Sequence, residues 1–343
     1  MSDVTLKDLA GRLGLSASTV SRALGEHPGI SESTRARVRT LAKQLGYRPN
    51  LVAQSLQNQR TTIIGVIVPE IRHDYFASVI SGVEEAAYQA GYAVMICQSQ
   101  ENAVREAEQL RALIAQRAAG ILLSLSRETA AYGHLREALR TGTVLTLFDR
   151  VPAELDPGLS VDMAVTDDAD GAYAVTAHLC AQGYARIAHL AGPPGISVSE
   201  GRKEGYLRAL RERGRLARPE YLLDAGFTEA DGESGMRALL DLPEPPDAVF
   251  AVNDPAAVGA FCVLRERGLR IPHDVALAGF SNNPVSGLLA PPLTTVDQNP
   301  VEVGCKAAGL LLSRLKGGLE NIPGRVAVIR SELVIRASTL RAG

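Results

Sequence analysis

The sequence contains no tryptophan, and its aromatic residues amount to only 4% of 343 residues although 46% are hydrophobic. A core built from it must be mostly aliphatic, as in layered α/β folds. Cysteine is scarce too: Cys97, Cys180, Cys262 and Cys305 are scattered without paired spacing, so buried free thiols are expected rather than disulfides or zinc ligands. The six histidines are equally dispersed and form no His-x-x-x-His cluster, which predicts no metal. No window approaches the roughly 18 unbroken apolar residues of a membrane span, and the opening "MSDVTLKDLAGRLG" has no apolar signal-peptide core, so no membrane association and a cytoplasmic location are expected. Motifs of catalysis are missing as well. There is no G-x-G-x-x-G after a strand, no G-x-x-x-x-G-K-[ST] loop and no G-x-S-x-G elbow. The turn "GPPG", Gly192 to Gly195, carries two prolines without backbone donors and makes a poor phosphate cradle. No cofactor is implied, and an enzyme is disfavoured.

What is present is a charge asymmetry. Residues 1–60 hold nine Lys/Arg against Asp3, Asp8, Glu26 and Glu32, a net of +5, which leaves −7 for the remainder of a chain whose total is −2. A basic head on an acidic body suggests an anionic partner for the head, although a solvated face with chance asymmetry would look the same. In "TLKDLAGRLG", Leu6, Leu9, Ala10 and Leu13 follow the i, i+3, i+4, i+7 stripe of an amphipathic helix, capped by Thr5 and ended by Gly14. Ser16 can cap a second helix through Leu24 that turns Val20, Ala23 and Leu24 inward and leaves Ser18, Thr19, Ser21 and Arg22 outside. A third helix runs from a Ser31 cap to a Gly46 stop, with Val38, Leu41, Ala42 and Leu45 on its inner face. Three short helices with tight turns make a helix-turn-helix arrangement. Small polar side chains on the second helix would let its backbone approach a DNA major groove, where hydroxyls and amides bond phosphates and Arg22 can read guanine. A merely solvent-exposed, Ser-capped helix is the competing explanation.

The run "TLKDLAGRLGLSASTVSRAL", followed by "ISESTRARVRTLAKQLGYRPNLVAQSL", closely resembles the DNA-binding head and hinge of the LacI/GalR family of bacterial transcription regulators. The resemblance implies that Ala17, Ser18 and Arg22 face bases. It assigns Thr5, Ser16, Thr19, Ser21 and Asn50 to phosphate contacts or helix capping. It also implies that "YRPNLVAQSLQNQR" forms a hinge helix, in which Ala53 and Gln54 enter the minor groove and Leu56 wedges between base pairs; packing of Leu56 against the body is the alternative. A helix this short is marginal alone. The domains are then expected at 1–46 (head), 47–61 (hinge) and 62–343 (body).

From Thr62 the runs "TIIGVIV", "YAVMIC", "GILLSL" and "TVLTLF" alternate with helical segments, and a second series follows in "RIAHLAG", "DAVFAVN" and "VALAGFS". Such alternation predicts two doubly wound subdomains with parallel sheets facing across a cleft, similar to periplasmic sugar-binding proteins. The first is expected at about 62–163 and 294–325, the second at about 164–293 and 326–343. Segments at the strand ends, "HDYF", "FDR", "SEGRKEGY", "GFTEADG", "AVNDPAAVGA" and "GFSNNP", match positions where the family holds an effector. The resemblance carries Tyr75, Asp149, Arg202, Phe227, Asn253, Asp254 and Ser281 into that role. A carboxylate acceptor with Arg and Asn donors suits hydroxyl pairs, and rings can cover an apolar sugar face. Each has a plainer alternative: Asp149 in a strand-end ion pair, Asn253 as a helix cap, Arg202 neutralising a helix N-terminal carboxylate, Phe227 in the core. Where many family members carry paired acids, this chain has Ser281 and Asn282. That departure favours a neutral polyol or sugar, while Arg202 and Arg150 leave an anionic sugar derivative open. The resemblance implies a homodimeric repressor that binds palindromic operator DNA under the control of a small effector, most plainly a sugar. A nucleoside- or purine-responsive regulator is the alternative, with aromatic scarcity counting against it. A periplasmic-type sugar-binding protein is a more distant one.

Overall fold

The computed structural model describes residues 4–25, 27–47, 61–152, 159–317 and 323–341, and the chain divides into two compact units, 1–61 and 62–343. In the first unit lie three helices: α1 (Leu6–Leu13), α2 (Ala17–Leu24) and α3 (Glu32–Gln44). Thr5 opens α1 with a reciprocal cap, in which its hydroxyl accepts from the Asp8 amide and Asp8 Oδ2 accepts from the Thr5 amide at 2.8 Å. Gly14 ends the helix in the left-handed conformation, φ 65°. Ser16 and Ser31 cap α2 and α3 by accepting from the amides of Thr19 and Thr34. Leu9, Val20, Ala23 and Val38 are wholly buried and, with Ala10 and Ala42, form the small core. Leu24, Leu41 and Leu45 are half-buried at its rim.

The second unit contains a six-stranded sheet, all of whose paired neighbours run parallel: β1 (Ile63–Val68), β2 (Ala93–Gln98), β3 (Gly120–Leu123), β4 (Leu145–Phe148), β5 (Asp162–Thr166) and, last in the chain, Val326–Ile329. Helices α4 (Asp74–Gln89), α5 (Ala103–Ala115) and α6 (Gly133–Arg140) connect its first four strands. After α7 (Asp168–Ala181) comes a four-stranded parallel sheet of β6 (Ile187–Ala191), β7 (Leu222–Asp224), β8 (Ala248–Ala251) and β9 (Ala276–Ala278). Its connections are α8 (Ser197–Glu212), α9 (Glu229–Leu240) and α10 (Asp254–Glu266). Both sheets have apolar side chains packed on each face, which explains why their strands read as unbroken aliphatic runs. Among the described residues no helix is long and apolar enough to cross a membrane.

The closing segments depart from the sequence-based boundaries. After α11 (Pro284–Leu288), Thr294 bridges Ala278, and β10 (Thr295–Asp297) lies at the edge of the second sheet, so residues 294–297 do not belong to the first subdomain. The chain then crosses back as α12 (Pro300–Gly317), which docks on α4 through two glycines. A Cβ on Gly82 would lie 2.1 Å from the Val301 carbonyl oxygen, and one on Gly304 would lie 2.0 Å from that of Val79. Next, β11 (Val326–Ile329) pairs with β5 in the first sheet instead of entering the second. Its anchor is Asp162, whose carboxylate accepts from the Arg325 amide at 2.8 Å and from the guanidiniums of Arg314 and Arg325. Only β12 (Glu332–Val334), antiparallel to β10, sits where the final strands were expected.

The cysteines are free thiols, but only Cys180 is buried; Cys262 is exposed because it falls on the outer side of α10. Among the described residues no group of His, Cys, Asp or Glu could hold a metal ion.

His189 in β6 is fully buried, stacked 4.6 Å from the Phe250 ring, with Nδ1 2.9 Å from the Phe250 carbonyl oxygen. Burial lowers its pKa to about 4 from the usual 6.5. The unfolded chain therefore binds a proton that the folded chain refuses between these values, so stability falls as pH drops from about 6.5 to about 4. The slope is about 1.4 kcal/mol per pH unit for this group. Urea unfolding at pH 7 and pH 5 is expected to show that loss in the wild type and a smaller one in His189→Gln. An undiminished loss in the variant would place the acid sensitivity elsewhere.

Candidate functional site

The exposed side of α2 gathers Ala17, Ser18, Ser21 and Arg22, with Thr19 half-buried, while Val20 and Ala23 face the core. Ser16 Oγ lies 2.8 Å from the hydroxyls of both Ser18 and Thr19, so capping fixes three hydroxyls at the N-terminal end, where the helix dipole favours an anion. Thr5, exposed, is engaged as the α1 cap. The Arg22 side chain has no ion-pair partner among the described residues. The hinge positions Asn50, Ala53, Gln54 and Leu56 lie outside the described residues.

In the body, a cavity lies beyond the carboxyl ends of the strands of both sheets. Its first wall is made by Tyr75 and Phe76 in the opening turn of α4 and by Asp149 and Arg150 directly after β4. Its second wall comes from Arg202 on α8, Phe227 before α9, Asn253 before α10, Ser281 and Asn283 after β9, and Gln298 after β10. Of the seven effector positions expected from sequence, Tyr75, Asp149, Arg202, Phe227, Asn253 and Ser281 are brought together here.

Asp254 is not. Its carboxylate is fully buried and accepts from the Asn283 amide (2.7 Å), Ser286 Oγ (2.6 Å) and Thr295 Oγ1 (2.7 Å). It pins the segment after β9 to β10 and lies outside the cavity lining. The neighbouring Asn253 caps α10, its Oδ1 accepting from the Ala256 amide while its Nδ2 donates to the Phe227 carbonyl oxygen, both at 2.9 Å. It therefore positions the Phe227 loop as well as lining the cavity.

Asp149 adopts a left-handed backbone, φ 58°, a conformation that residues with a Cβ avoid and that is retained where the surroundings hold it. Burial raises its pKa against the opposing charges of Arg150 and Arg202. Burial, and after it the neighbouring Asp149 carboxylate, pushes the Tyr75 hydroxyl well above its ordinary value. Gln298 Nε2 and Asn283 Oδ1 are buried without partners, whereas Gln298 Oε1 accepts from Ser281 Oγ at 2.8 Å. Both residues line the cavity, so these two atoms have hydrogen-bonding capacity left for a group placed there.

Neither guanidinium is free. Arg150 Nη1 lies 2.7 and 2.8 Å from the two carboxylate oxygens of Glu101, and its plane sits 4.5 Å from the Phe227 ring. Arg202 Nε donates to Asp168 Oδ1 and Nη1 to the Val252 carbonyl oxygen, each at 2.8 Å, and the guanidinium covers Phe280 at 3.9 Å. Asp168 opens α7, so the plainer sequence reading of Arg202, neutralising a helix N-terminal carboxylate, holds together with cavity lining. Burial raises the Asp168 pKa to about 6 against the charge of Arg202.

Sequence reasoning missed Phe76, Asn283 and Gln298, and it singled out only Tyr75 from the segment that also brings His73; Phe76, Asn283, Gln298 and His73 all line the cavity. Phe76 could have been found from its place beside Tyr75 in the first turn of a helix. Gln298 carries no such signal, because only the return crossing brings it to the cleft.

A model described as "Bacterial regulatory proteins, lacI family" matches residues 5–50, and one described as "Periplasmic binding protein-like domain" matches residues 176–339. The chain is 33% identical over 338 residues to the HTH-type transcriptional repressor PurR of Haemophilus influenzae (strain PittEE), covering 97% of this chain and 98% of that protein. It is 33% identical over 335 residues to the HTH-type transcriptional repressor CytR of Escherichia coli (strain K12), covering 98% and 96%. Among solved structures, a lac repressor dimer bound to operator and the anti-inducer ONPF superimposes with a TM-score of 0.86 at 26% identity, covering 99% of this chain and 100% of that one. A transcriptional regulator CelR–cellobiose complex superimposes with a TM-score of 0.74 at 28% identity, covering 98% and 99%.

Proposed function

Because the chain belongs to the lacI family of bacterial regulatory proteins, we propose that it is a homodimeric transcriptional repressor whose hold on operator DNA is set by an uncharged small molecule bound between its two subdomains. It is a regulator and not an enzyme. In this reading Ala17, Ser18 and Arg22 on the open face of α2 meet bases in the major groove, with Ser16, Thr19 and Ser21 at phosphates. The hinge from Tyr47 to Arg60 adds minor-groove contacts. An effector touching both walls of the cleft favours one closure angle, and a difference in its affinity for the two angles is enough to shift the operator-competent population.

The observation that carries the effector assignment is the compensation of both cleft guanidiniums, Arg150 by Glu101 and Arg202 by Asp168. No unpaired cation among the cavity-lining arginines remains for a phosphate or sugar acid. Gln298 and Asn283 keep unpartnered polar atoms, and the Asp149 carboxylate stands beside them, for hydrogen bonds with hydroxyls or amides. A neutral sugar fits this set. A nucleoside has a specific observation in its favour, because Tyr75 and Phe76 on one wall and Phe227 on the other put aromatic rings on both sides despite the overall scarcity of aromatics.

Selection of bound duplexes from a random pool by the purified protein, followed by sequencing, tests the DNA reading; a palindrome is expected. Arg22→Ala is expected to weaken the selected operator by about 1–3 kcal/mol and to relax one base position in each half-site. A uniform loss across all sequences would make Arg22 a phosphate contact instead.

A further inference from the structure

We propose that Glu101 and Asp168, neither of which lines the cavity, are specificity-determining residues that stand behind the two cleft arginines and make the site reject anionic ligands. The proposal rests on the reading of the cleft as an effector site and adds what sets its charge preference.

The two pairs are arranged alike. Each arginine is neutralised by an acid from its own wall: Arg150 by Glu101, at the end of the segment that follows β2, and Arg202 by Asp168, the first residue of α7. All four side chains are largely buried, at 8% and 14% exposure for Arg150 and Glu101 and 4% and 10% for Arg202 and Asp168. At such burial charges interact strongly, so the partner of each guanidinium decides how it presents itself to a ligand. With Asp149 included, the five ionised groups around the cavity sum to −1.

Glu101 is held in place by unusual backbone. It and Gln100 both adopt left-handed conformations, φ 59° and 53°, with the Gln100 amide donating to the Pro69 carbonyl oxygen at 2.9 Å. Two successive residues with a Cβ in that region are disfavoured, and the arrangement delivers the Glu101 carboxylate to Arg150. The same carboxylate accepts from the Arg127 amide at 2.9 Å, which fixes it from the far side. Without that charge Arg150 would keep only the more distant Asp149 carboxylate, 4.0 Å from its Nε, and would face the cavity stacked on Phe227 with its Nη1 released, an arrangement suited to phosphate and carboxylate groups.

Glu101→Gln removes the charge while keeping the length and an oxygen for the Arg127 amide. The full-length protein and this variant would be titrated calorimetrically with inorganic phosphate, alongside Glu101→Gln/Arg150→Gln to subtract phosphate bound by the basic head. The expected result is phosphate affinity at least about tenfold higher in Glu101→Gln than in the wild type, and lost in the double variant. Equal weak affinity in wild type and Glu101→Gln would overturn the role of Glu101 and leave the uncharged-effector reading standing. Wild-type affinity already as high as that of Glu101→Gln, and lost in Arg150→Gln, would overturn that reading as well. Should Glu101→Gln fail to fold, Asp168→Asn makes the same test on the opposite wall, with Arg202 as the guanidinium released.

Discussion

Replacing Arg202 with alanine is expected to destabilise the body by about 3–5 kcal/mol and to abolish the effector response at once. The guanidinium holds Asp168 and the Val252 carbonyl oxygen and lies flat on Phe280. Its loss leaves a buried carboxylate without its cation and a cavity beside the ring. Removing one partner of a buried pair typically costs that much, because the remaining charge has neither solvent nor partner. Asp168, whose pKa is already raised to about 6, would respond by taking up a proton near neutrality, which limits the loss at lower pH. Urea unfolding monitored at pH 7.5 and pH 5.5 checks this: the difference between variant and wild type is expected to shrink at the lower pH. Operator binding by the folded fraction is expected to persist, since Arg202 belongs to the body and the DNA-facing residues to the head. A variant as stable as the wild type would remove Arg202 from the structural role, and one that still releases or tightens on operator with effector would remove it from the effector site.

Asp162→Asn is expected to cost a similar 3–5 kcal/mol, with no direct effect on either binding surface. Asp162 is wholly buried in β5 and collects the guanidiniums of Arg314 and Arg325 together with the Arg325 amide, so one carboxylate ties β5 to α12 and to the start of β11. Burial alone would raise its pKa, but the bonds from Arg314 and Arg325 lower it to about 2. A depressed acid stabilises the fold fully above its unfolded value near 3.8 and progressively less as pH falls toward 2. This window lies below that of His189, so wild-type stability is expected to keep falling between about pH 3.8 and 2 through Asp162, a contribution absent from Asp162→Asn. Amide exchange should also accelerate in Val326–Ile329, whose pairing with β5 depends on the anchor. Unchanged exchange there would mean that strand pairing alone fixes the final crossing.

The contrast between these two residues shows what could be read from the chain. Thr5, Ser16 and Ser31 were legible as caps because a cap and its target amide are three residues apart, and the helices they start carry their apolar stripe in the same few turns. The buried strands were legible because both faces of each sheet are covered, leaving aliphatic runs of the right length. Six of the seven positions that the resemblance singled out line one cavity, most of them just past strand ends, where ligands in such sheets bind.

Asn253 and Asp254 mark the limit. They are adjacent and both polar, yet one lines the cavity and the other is buried away from it, since neighbouring residues at the start of a helix point about 100° apart. The sequence by itself determined the head, the alternation of strands and helices, the family resemblance and the place to look for a site. Only the tertiary structure decided the strand order at the chain's end, the partner of each arginine and hence the charge that the cleft presents. The physical reason is separation: Arg325 meets Asp162 across 163 residues and Arg150 meets Glu101 across 49, and no local pattern encodes which buried charge will find which counter-charge.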